Sequence, residues 1–172
     1  AGTLGVGGTT FVGSNTNAGT TATFNQTGGT HNAGALDVGL GATTVNYNLS
    51  GAAVLSVTGD EAVGATTAGT LTQTGGSNSA GDLTVGFNPT VVGTYALGAG
   101  TLSVGTSEIL GLFGNGTLNQ SGGTHTITGS AGLLLGSIAG GVGTLNLSGG
   151  SLATPNAYAG GSDGDAGGTG TL

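Results

Sequence analysis

The sequence contains no lysine, no arginine and no cysteine, and its seven acidic residues give the 172-residue chain a formal net charge of −7. Nucleic-acid binding depends on cations that displace the counterions of phosphate, so the composition argues against nucleic acid as a partner. Anionic membrane surfaces attract basic segments for the same reason. Without cysteine, neither a disulfide nor a thiolate metal site can form.

Long apolar runs are also missing. No segment approaches the roughly 18 apolar residues that a membrane-spanning helix needs, so we expect no membrane insertion. Low charge combined with recurring Leu and Val does not fit intrinsic disorder, which pairs low hydrophobicity with high charge. Glycine is plentiful, at 42 residues, and it is the residue best suited to sharp corners of the backbone.

One phrase occurs three times, as TFNQTGGTH, TLTQTGGSN and TLNQSGGTH, and its glutamines Gln26, Gln73 and Gln120 lie 47 residues apart. Self-similarity at a fixed period marks a repeat architecture. Related phrases around Tyr47 and Tyr95 divide each unit into two coils of about 24 residues. The sequence therefore predicts an all-β protein, a parallel β-solenoid (β-helix) of about seven coils with a 47-residue double-coil repeat.

We interpret the chain as a single solenoid domain, 1–172. It starts with a partial first coil at 1–22, continues through double-coil repeats at 23–69, 70–116 and 117–170, and has an open last coil at 171–172. Strand side chains alternate between faces, and this alternation places Gln26, Gln73 and Gln120 inside, beside Leu and aromatic residues. A buried amide needs partners, so we expect each glutamine to bond the backbone of its own Gly-Gly corner.

A second phrase, LxVG, recurs near Leu4, Leu36, Leu55, Leu83, Leu102, Leu133 and Leu152. We expect its Leu and Val residues to line a second inner wall. The variable segments Gly59–Gly69 and Thr106–Gly116 then become protruding loops, with Glu61 and Glu108 at the surface.

The phrases FNQTGGTH, YNLSG, LNQSGGTHTITGSAGLLLG and LNLSGGSLATPNAYAG resemble repeat regions of PEP-CTERM-type and autotransporter-like bacterial cell-surface proteins. The resemblance covers nearly the whole chain after Thr23. It implies an exported β-solenoid with a structural or adhesive role and no catalytic residues. Gly-, Thr-, Ser- and Asn-rich sequence without cations also favours an extracellular or cell-surface location.

Few residues suggest chemistry. His31 and His125 occupy equivalent positions that are too far apart to share a metal whose Zn–N bonds are about 2.0–2.1 Å, and we expect them at a turn or strand edge. Asp163 and Asp165, in a glycine-rich segment, form a candidate weak calcium site. No nucleophile motif or facing carboxylate pair is present, so we expect no enzyme activity and no cofactor.

The end coils predict the function. Unpaired strand edges invite pairing with another chain, and head-to-tail contacts that do not close generate filaments. We expect an assembly interface at the two ends, comprising Ala1, Gly2, Thr3, Leu4, Val6, Gly170, Thr171 and Leu172. The protein would be a structural subunit of an extracellular bacterial filament or fibrous surface protein, with itself as partner.

Two alternatives stay open. A surface adhesin would bind extracellular polysaccharide through exposed aromatic residues, for which Phe87 and Tyr158 are the candidates. An ice-binding solenoid would present a regular array of outward threonines, and the outward ladder here mixes Thr with Asn, Ser and Ala.

Overall fold

The computed structural model describes residues 1–14, 19–41, 44–161 and 167–172. In these ranges all of the regular secondary structure is β-strand. The strands are β1 Thr3–Val12, β2 Thr21–Gln26, β3 Thr30–Val38, β4 Thr44–Leu49, β5 Val54–Val63, β6 Gly69–Val85, β7 Val92–Val104, β8 Ser107–Leu110, β9 Asn115–Ile127, β10 Gly132–Leu135, β11 Val142–Ala153, β12 Ala157–Ala159 and β13 Thr169–Thr171. No helix long and apolar enough to cross a membrane occurs among the described residues.

All strand pairs are parallel, and they stack into three walls around one core. Wall A comprises Thr21–Gln26, Thr44–Leu49, 69–73, 93–97, 115–120, 142–147 and Thr169–Thr171. Wall B comprises 3–6, 30–33, 54–57, 77–80, 101–104, 124–127 and 151–153. Wall C comprises 9–12, 35–38, 60–63, 82–85, Ser107–Leu110, Gly132–Leu135 and Ala157–Ala159.

The predicted parallel β-solenoid of about seven coils, each of about 24 residues, is confirmed. The predicted alignment of the repeats also holds. The pairing register aligns Phe24, Tyr47, Leu71, Tyr95, Leu118 and Leu145 in one column of wall A. Identical positions therefore stack at the spacing of neighbouring strands, about 4.8 Å.

The core is formed by two inward columns on each wall. Leu71, Leu83, Leu97 and Leu118 are fully buried, as are Val residues of wall C such as Val85. Full burial of such a side chain contributes about 1.5–3 kcal/mol. Because every coil adds the same kind of residue at the same place, each coil extends the core of the preceding one.

Glycine is required where the walls meet. Gly100 has a φ of +90°, and a Cβ at this position would overlap the carbonyl oxygen of Gly76 in the preceding coil. Gly86, at another corner, has a φ of +78° and lies against the backbone of Asn115. These left-handed conformations and close backbone approaches exclude side chains, which explains why the repeat phrases contain so many glycines.

The expectation of a single wall for the LxVG phrase is wrong. Leu4 and Leu55 lie on wall B, where both are in register with His31. Leu36 and Leu83 lie on wall C, where both are in register with Glu61. The two walls have similar sequence because each has two inward positions separated by one residue and followed by a corner.

The predicted loops Gly59–Gly69 and Thr106–Gly116 are also wrong in part. Residues 60–63 and Ser107–Leu110 are strands of wall C. These two strands are hard to recognise in the sequence because Glu61 and Glu108 occupy the inward position that leucine holds in the adjacent coils.

Candidate functional site

Three inward columns, one on each wall, carry a polar residue in every second coil. On wall A, Gln26, Gln73 and Gln120 alternate with leucines. On wall B, the alternating residues are His31, Asn78 and His125, and on wall C they are Thr10, Glu61 and Glu108. All of these side chains except Thr10 are buried. The core polarity therefore has the period of the double-coil repeat.

These residues form three equivalent clusters, each completed by the wall A residue of the following coil. The first cluster is Thr10, Gln26, His31 and Tyr47; the second is Glu61, Gln73, Asn78 and Tyr95; the third is Glu108, Gln120, His125 and Leu145.

In the first cluster, one chain of hydrogen bonds joins three coils. The hydroxyl of Tyr47 donates to Gln26 Oε1 at 2.7 Å and lies 2.9 Å from His31 Nδ1. The Tyr47 hydrogen is used on Gln26, so His31 Nδ1–H donates to Tyr47, and His31 Nε2 accepts from the Thr10 hydroxyl at 3.0 Å. Burial lowers the pKa of His31, which favours the neutral form of the ring. The hydrogen-bond partners determine its tautomer.

Ring stacking reinforces the first cluster. Phe24 stacks on Tyr47 with centroids 4.8 Å apart and an interplanar angle of 15°, and it stacks on His31 at 5.4 Å. Burial, and secondarily the Glu61 carboxyl, raises the pKa of Tyr47. The Tyr47 hydroxyl therefore remains a donor at any pH at which the protein is handled.

The second cluster has the same layout but contains unpaired atoms. Tyr95 donates to Gln73 Oε1 at 2.6 Å, and Asn78 Nδ2 lies 3.0 Å from the Tyr95 hydroxyl and 2.9 Å from Glu61 Oε1. Glu61 Oε2 and Asn78 Oδ1 are fully buried and have no hydrogen-bond partner. Each buried acceptor without a donor lowers the stability of the folded protein by about 1–3 kcal/mol.

A proton on Glu61 resolves this mismatch. Burial raises the pKa of Glu61 to about 7, and the Glu108 carboxyl adds to the effect while the bond from Asn78 opposes it. A protonated Glu61 has a donor hydroxyl, and the unpaired acceptor in its bonded neighbour is Asn78 Oδ1. A protonated carboxyl group donates one hydrogen bond and still accepts others, so this form has the donor that the cluster otherwise lacks.

In the third cluster, Leu145 replaces the tyrosine. His125 Nε2 and Glu108 Oε2 are 2.6 Å apart, and Gln120 Nε2 donates to the carbonyl of Ser151 at 2.9 Å. Gln120 Oε1, His125 Nδ1 and Glu108 Oε1 have no partner.

The expected bond from each glutamine to its own Gly-Gly corner is present for Gln26 and Gln73, and a shorter bond to the next coil accompanies it. Gln73 Nε2 is 3.4 Å from Gly76 O, at its own corner, and 2.9 Å from Thr101 O on wall B of the next coil. Gln26 repeats the pattern, with 3.3 Å to Gly29 O and 2.9 Å to Val54 O. The shorter bond in each case ties one coil to the next.

The predicted surface positions of two kinds of residue are wrong. His31 and His125 lie in the core of wall B, at 1% and 0% exposure, not at a turn or strand edge. Glu61 and Glu108 are 0% exposed. The signal that could have placed them was their strict recurrence, because Asn78 lies 47 residues from each histidine and Glu108 lies 47 residues from Glu61. Such burial keeps these groups from solvent and from any substrate.

The predicted assembly residues lie at opposite ends of the rod. At one end, wall A is recessed by one strand, which leaves a cavity of about 370 Å³ above β2, lined in part by Gly2, Thr3, Leu4 and Phe24. At the other end, β13 projects beyond walls B and C, and Leu172 is 84% exposed. Val6 lies on the first strand of wall B.

A surface groove lies where wall C turns toward wall A. It has a volume of about 240 Å³ and is lined by Asp37, Leu40, Asp60, Ala62, Ala65, Thr66, Phe87 and Asn88. Phe87 is 39% exposed, and burial, followed by the nearby Asp60, raises the pKa of Asp37. The groove thus combines an aromatic face with carboxyl groups that can accept hydrogen bonds.

The candidate calcium residues Asp163 and Asp165 lie outside the described residues. Among the residues that the structure describes, no three His, Asp or Glu side chains are grouped so as to hold a metal ion. Tyr158 is half-buried on wall C, in register with Leu134.

Comparison with protein-family models, with curated proteins and with solved structures gives no match to this chain.

We predict that Glu61 makes the protein less stable at neutral than at mildly acidic pH. A carboxyl group whose pKa is higher in the folded state binds its proton more tightly there. The free energy of unfolding therefore falls as pH rises from 4.5 to about 7, by on the order of 3 kcal/mol. Glu61→Gln presents an amide to Asn78 at every pH and should remove this slope. Chemical denaturation between pH 4 and pH 8 measures it.

The appropriate control is Asp60→Asn, which removes the neighbouring exposed carboxylate. It also removes the smaller of the two effects that raise the pKa of Asp37, and it should leave most of the slope in place. Both variants keep His31, whose lowered pKa contributes a slope of opposite sign below pH 6.5, so this contribution cancels in the comparison. Equal slopes in the wild type and Glu61→Gln would show that Glu61 does not carry a proton in the core.

Proposed function

We propose that this protein is a structural subunit of an extracellular bacterial filament or fibrous surface protein that polymerises head to tail. The observation that carries this proposal is the complementary shape of the two ends. Above β2, walls B and C extend one strand further than wall A, and at the other end β13 is one strand that extends beyond its neighbours. Inserting β13 of one copy into the recess of the next would continue all three walls.

The pairing pattern supports this arrangement. In the described residues β2 pairs only with β4, and β13 pairs only with β11. Each therefore has an edge with free backbone donors and acceptors, which is a template for another parallel strand. Leu172 directly follows Thr171, which pairs with Thr144, the residue before Leu145, so it would cover the half-buried ring of Phe24 in the neighbouring copy.

Electrostatics does not oppose the contact. The recess is lined by Gly2, Thr3, Leu4, Phe24, Asn25, Gln26, Thr27, Gly28, Thr30 and His31, and β13 is Thr-Gly-Thr. No carboxylate side chain is in either set, although the chain carries a net charge of −7. A fibre built in this way has no site for trypsin, because the sequence lacks Lys and Arg, and this suits an extracellular or cell-surface location.

We predict that Leu172→Asp prevents fibre formation. Leu172 is 84% exposed, so the change should leave the fold intact while placing a charge against Phe24 of the next copy. Electron microscopy at micromolar concentration should show fibres of the wild type and dispersed particles of the variant. Deletion of Ala1–Gly7 should have the same effect because it removes the wall beside the recess.

The control is Ser103→Asp, which adds the same charge to an exposed position in the middle of the rod and should still form fibres. Dispersed wild-type particles, or fibres of normal length from Leu172→Asp, would refute end-to-end assembly.

The groove at Phe87 favours a second candidate function, a surface adhesin that binds extracellular polysaccharide. Sugars pack an apolar face on an aromatic ring and donate hydroxyl hydrogens to carboxyl groups. Phe87 supplies the ring, and Asp37 and Asp60 supply the acceptors. The groove is open to solvent, in contrast to the buried clusters.

We predict that glycan-array binding depends on Phe87. Phe87→Ala should reduce binding by roughly tenfold or more, because it removes the exposed aromatic face on which a sugar would pack. Phe113→Ala is the matched control, because Phe113 is 42% exposed on the adjacent coil but does not line the groove. Absence of any bound glycan, or equal loss in both variants, would exclude this function for the groove.

A further inference from the structure

The third cluster has the acceptors of the other two clusters but not their tyrosine hydroxyl. In the first cluster, the Tyr47 hydroxyl lies 2.7 Å from Gln26 Oε1 and 2.9 Å from His31 Nδ1. The corresponding atoms of the third cluster are Gln120 Oε1 and His125 Nδ1, and both are without a partner. Both residues are 0% exposed.

The sequence difference behind this is one residue. Tyr47, Tyr95 and Leu145 occupy the same column of wall A. A leucine side chain stops at its Cδ methyl groups, whereas a tyrosine continues through Cε and Cζ to the hydroxyl. Leu145 is 1% exposed, so it is enclosed by the core but has no atom that can hydrogen-bond to Gln120 or His125.

We propose that one water molecule is bound in the core between Gln120 Oε1 and His125 Nδ1, where tyrosine hydroxyls lie in the first and second clusters. Buried waters in proteins satisfy otherwise unpaired polar groups through about three hydrogen bonds and need about 30 Å³ of space. The far half of a tyrosine ring with its hydroxyl is of that order of size.

The chemistry of the third cluster explains why water suits it better than a phenol. His125 Nε2 is bound to Glu108 Oε2 at 2.6 Å. If Nε2 carries the hydrogen, Nδ1 is an acceptor in neutral histidine, and Gln120 Oε1 is an acceptor as well. A tyrosine has one hydrogen to donate and satisfies only one of them, whereas a water donates to both.

In the first cluster this conflict does not arise. Thr10 donates to His31 Nε2, so His31 Nδ1 carries the hydrogen and the tyrosine needs to donate only to Gln26. The change from Thr10 to Glu108 on wall C, opposite a histidine in both clusters, therefore matches the change from Tyr47 to Leu145 on wall A. In the second cluster Glu61 is compatible with Tyr95 because Asn78 Nδ2 donates to both groups. The two substitutions together convert a hydroxyl-bridged cluster into a water-bridged one.

A crystal structure of the wild-type protein at high resolution tests the proposal directly. We expect an ordered water within about 2.7–3.2 Å of both Gln120 Oε1 and His125 Nδ1, and no such water in the first or second cluster. Continuous side-chain density at this position, or Gln120 and His125 rotated to bond other groups, would overturn it.

Variants at Leu145 give a second, independent readout. In Leu145→Tyr a ring displaces the water and its hydroxyl replaces one of the two hydrogen bonds, whereas the matched Leu145→Phe displaces the water and replaces none. The midpoint of thermal unfolding should be higher for the Tyr variant than for the Phe variant by roughly 2–4 °C. Equal midpoints would show that Gln120 and His125 need no partner at this position, which contradicts the proposal.

Discussion

A polar group that points into a stack of parallel coils can find a partner only in its own coil or in an adjacent one. This constraint determines the period of the protein. Glutamine and histidine or asparagine occupy one coil, and tyrosine and glutamate occupy the coils on either side, so that each hydrogen bond crosses between coils. An unpaired buried group is unfavourable by about 1–3 kcal/mol. Because each cluster takes its members from three successive coils, the polar core repeats with the two-coil period of the sequence.

The same constraint distinguishes the core from the ends. Inside the rod, each apolar column packs against any neighbour of similar size. The polar clusters, in contrast, require particular hydrogen-bond partners and therefore determine the order of the coils. At the ends of the described stack, the outermost strands of wall A, β2 and β13, each pair with one neighbouring strand. In the proposed fibre, a second copy entering in register would extend both the apolar columns and these strand edges.

The fold could be predicted from sequence because the glycine corners and the Gln phrases repeat at a fixed spacing. The wall A alignment through Phe24, Tyr47 and Leu71 was predictable for that reason. The polar clusters were not predictable. Glu61 and His31 occupy inward positions that leucine holds in the adjacent coils, and an isolated acidic residue or histidine is usually exposed. Pairing between walls B and C joins residues 17 positions apart, and no local pattern reveals that contact.

The measurement that tests this account most directly is a double-mutant cycle between Gln73 and Tyr95, using Gln73→Leu, Tyr95→Phe and the double variant. These two side chains lie in adjacent coils and are joined by a bond of 2.6 Å. If hydrogen bonds between coils stabilise the repeat, each single change should lower the free energy of unfolding, and the double variant should be more stable than additivity predicts by about 1 kcal/mol or more. Additive effects would contradict the claim that pairing across coils determines the period.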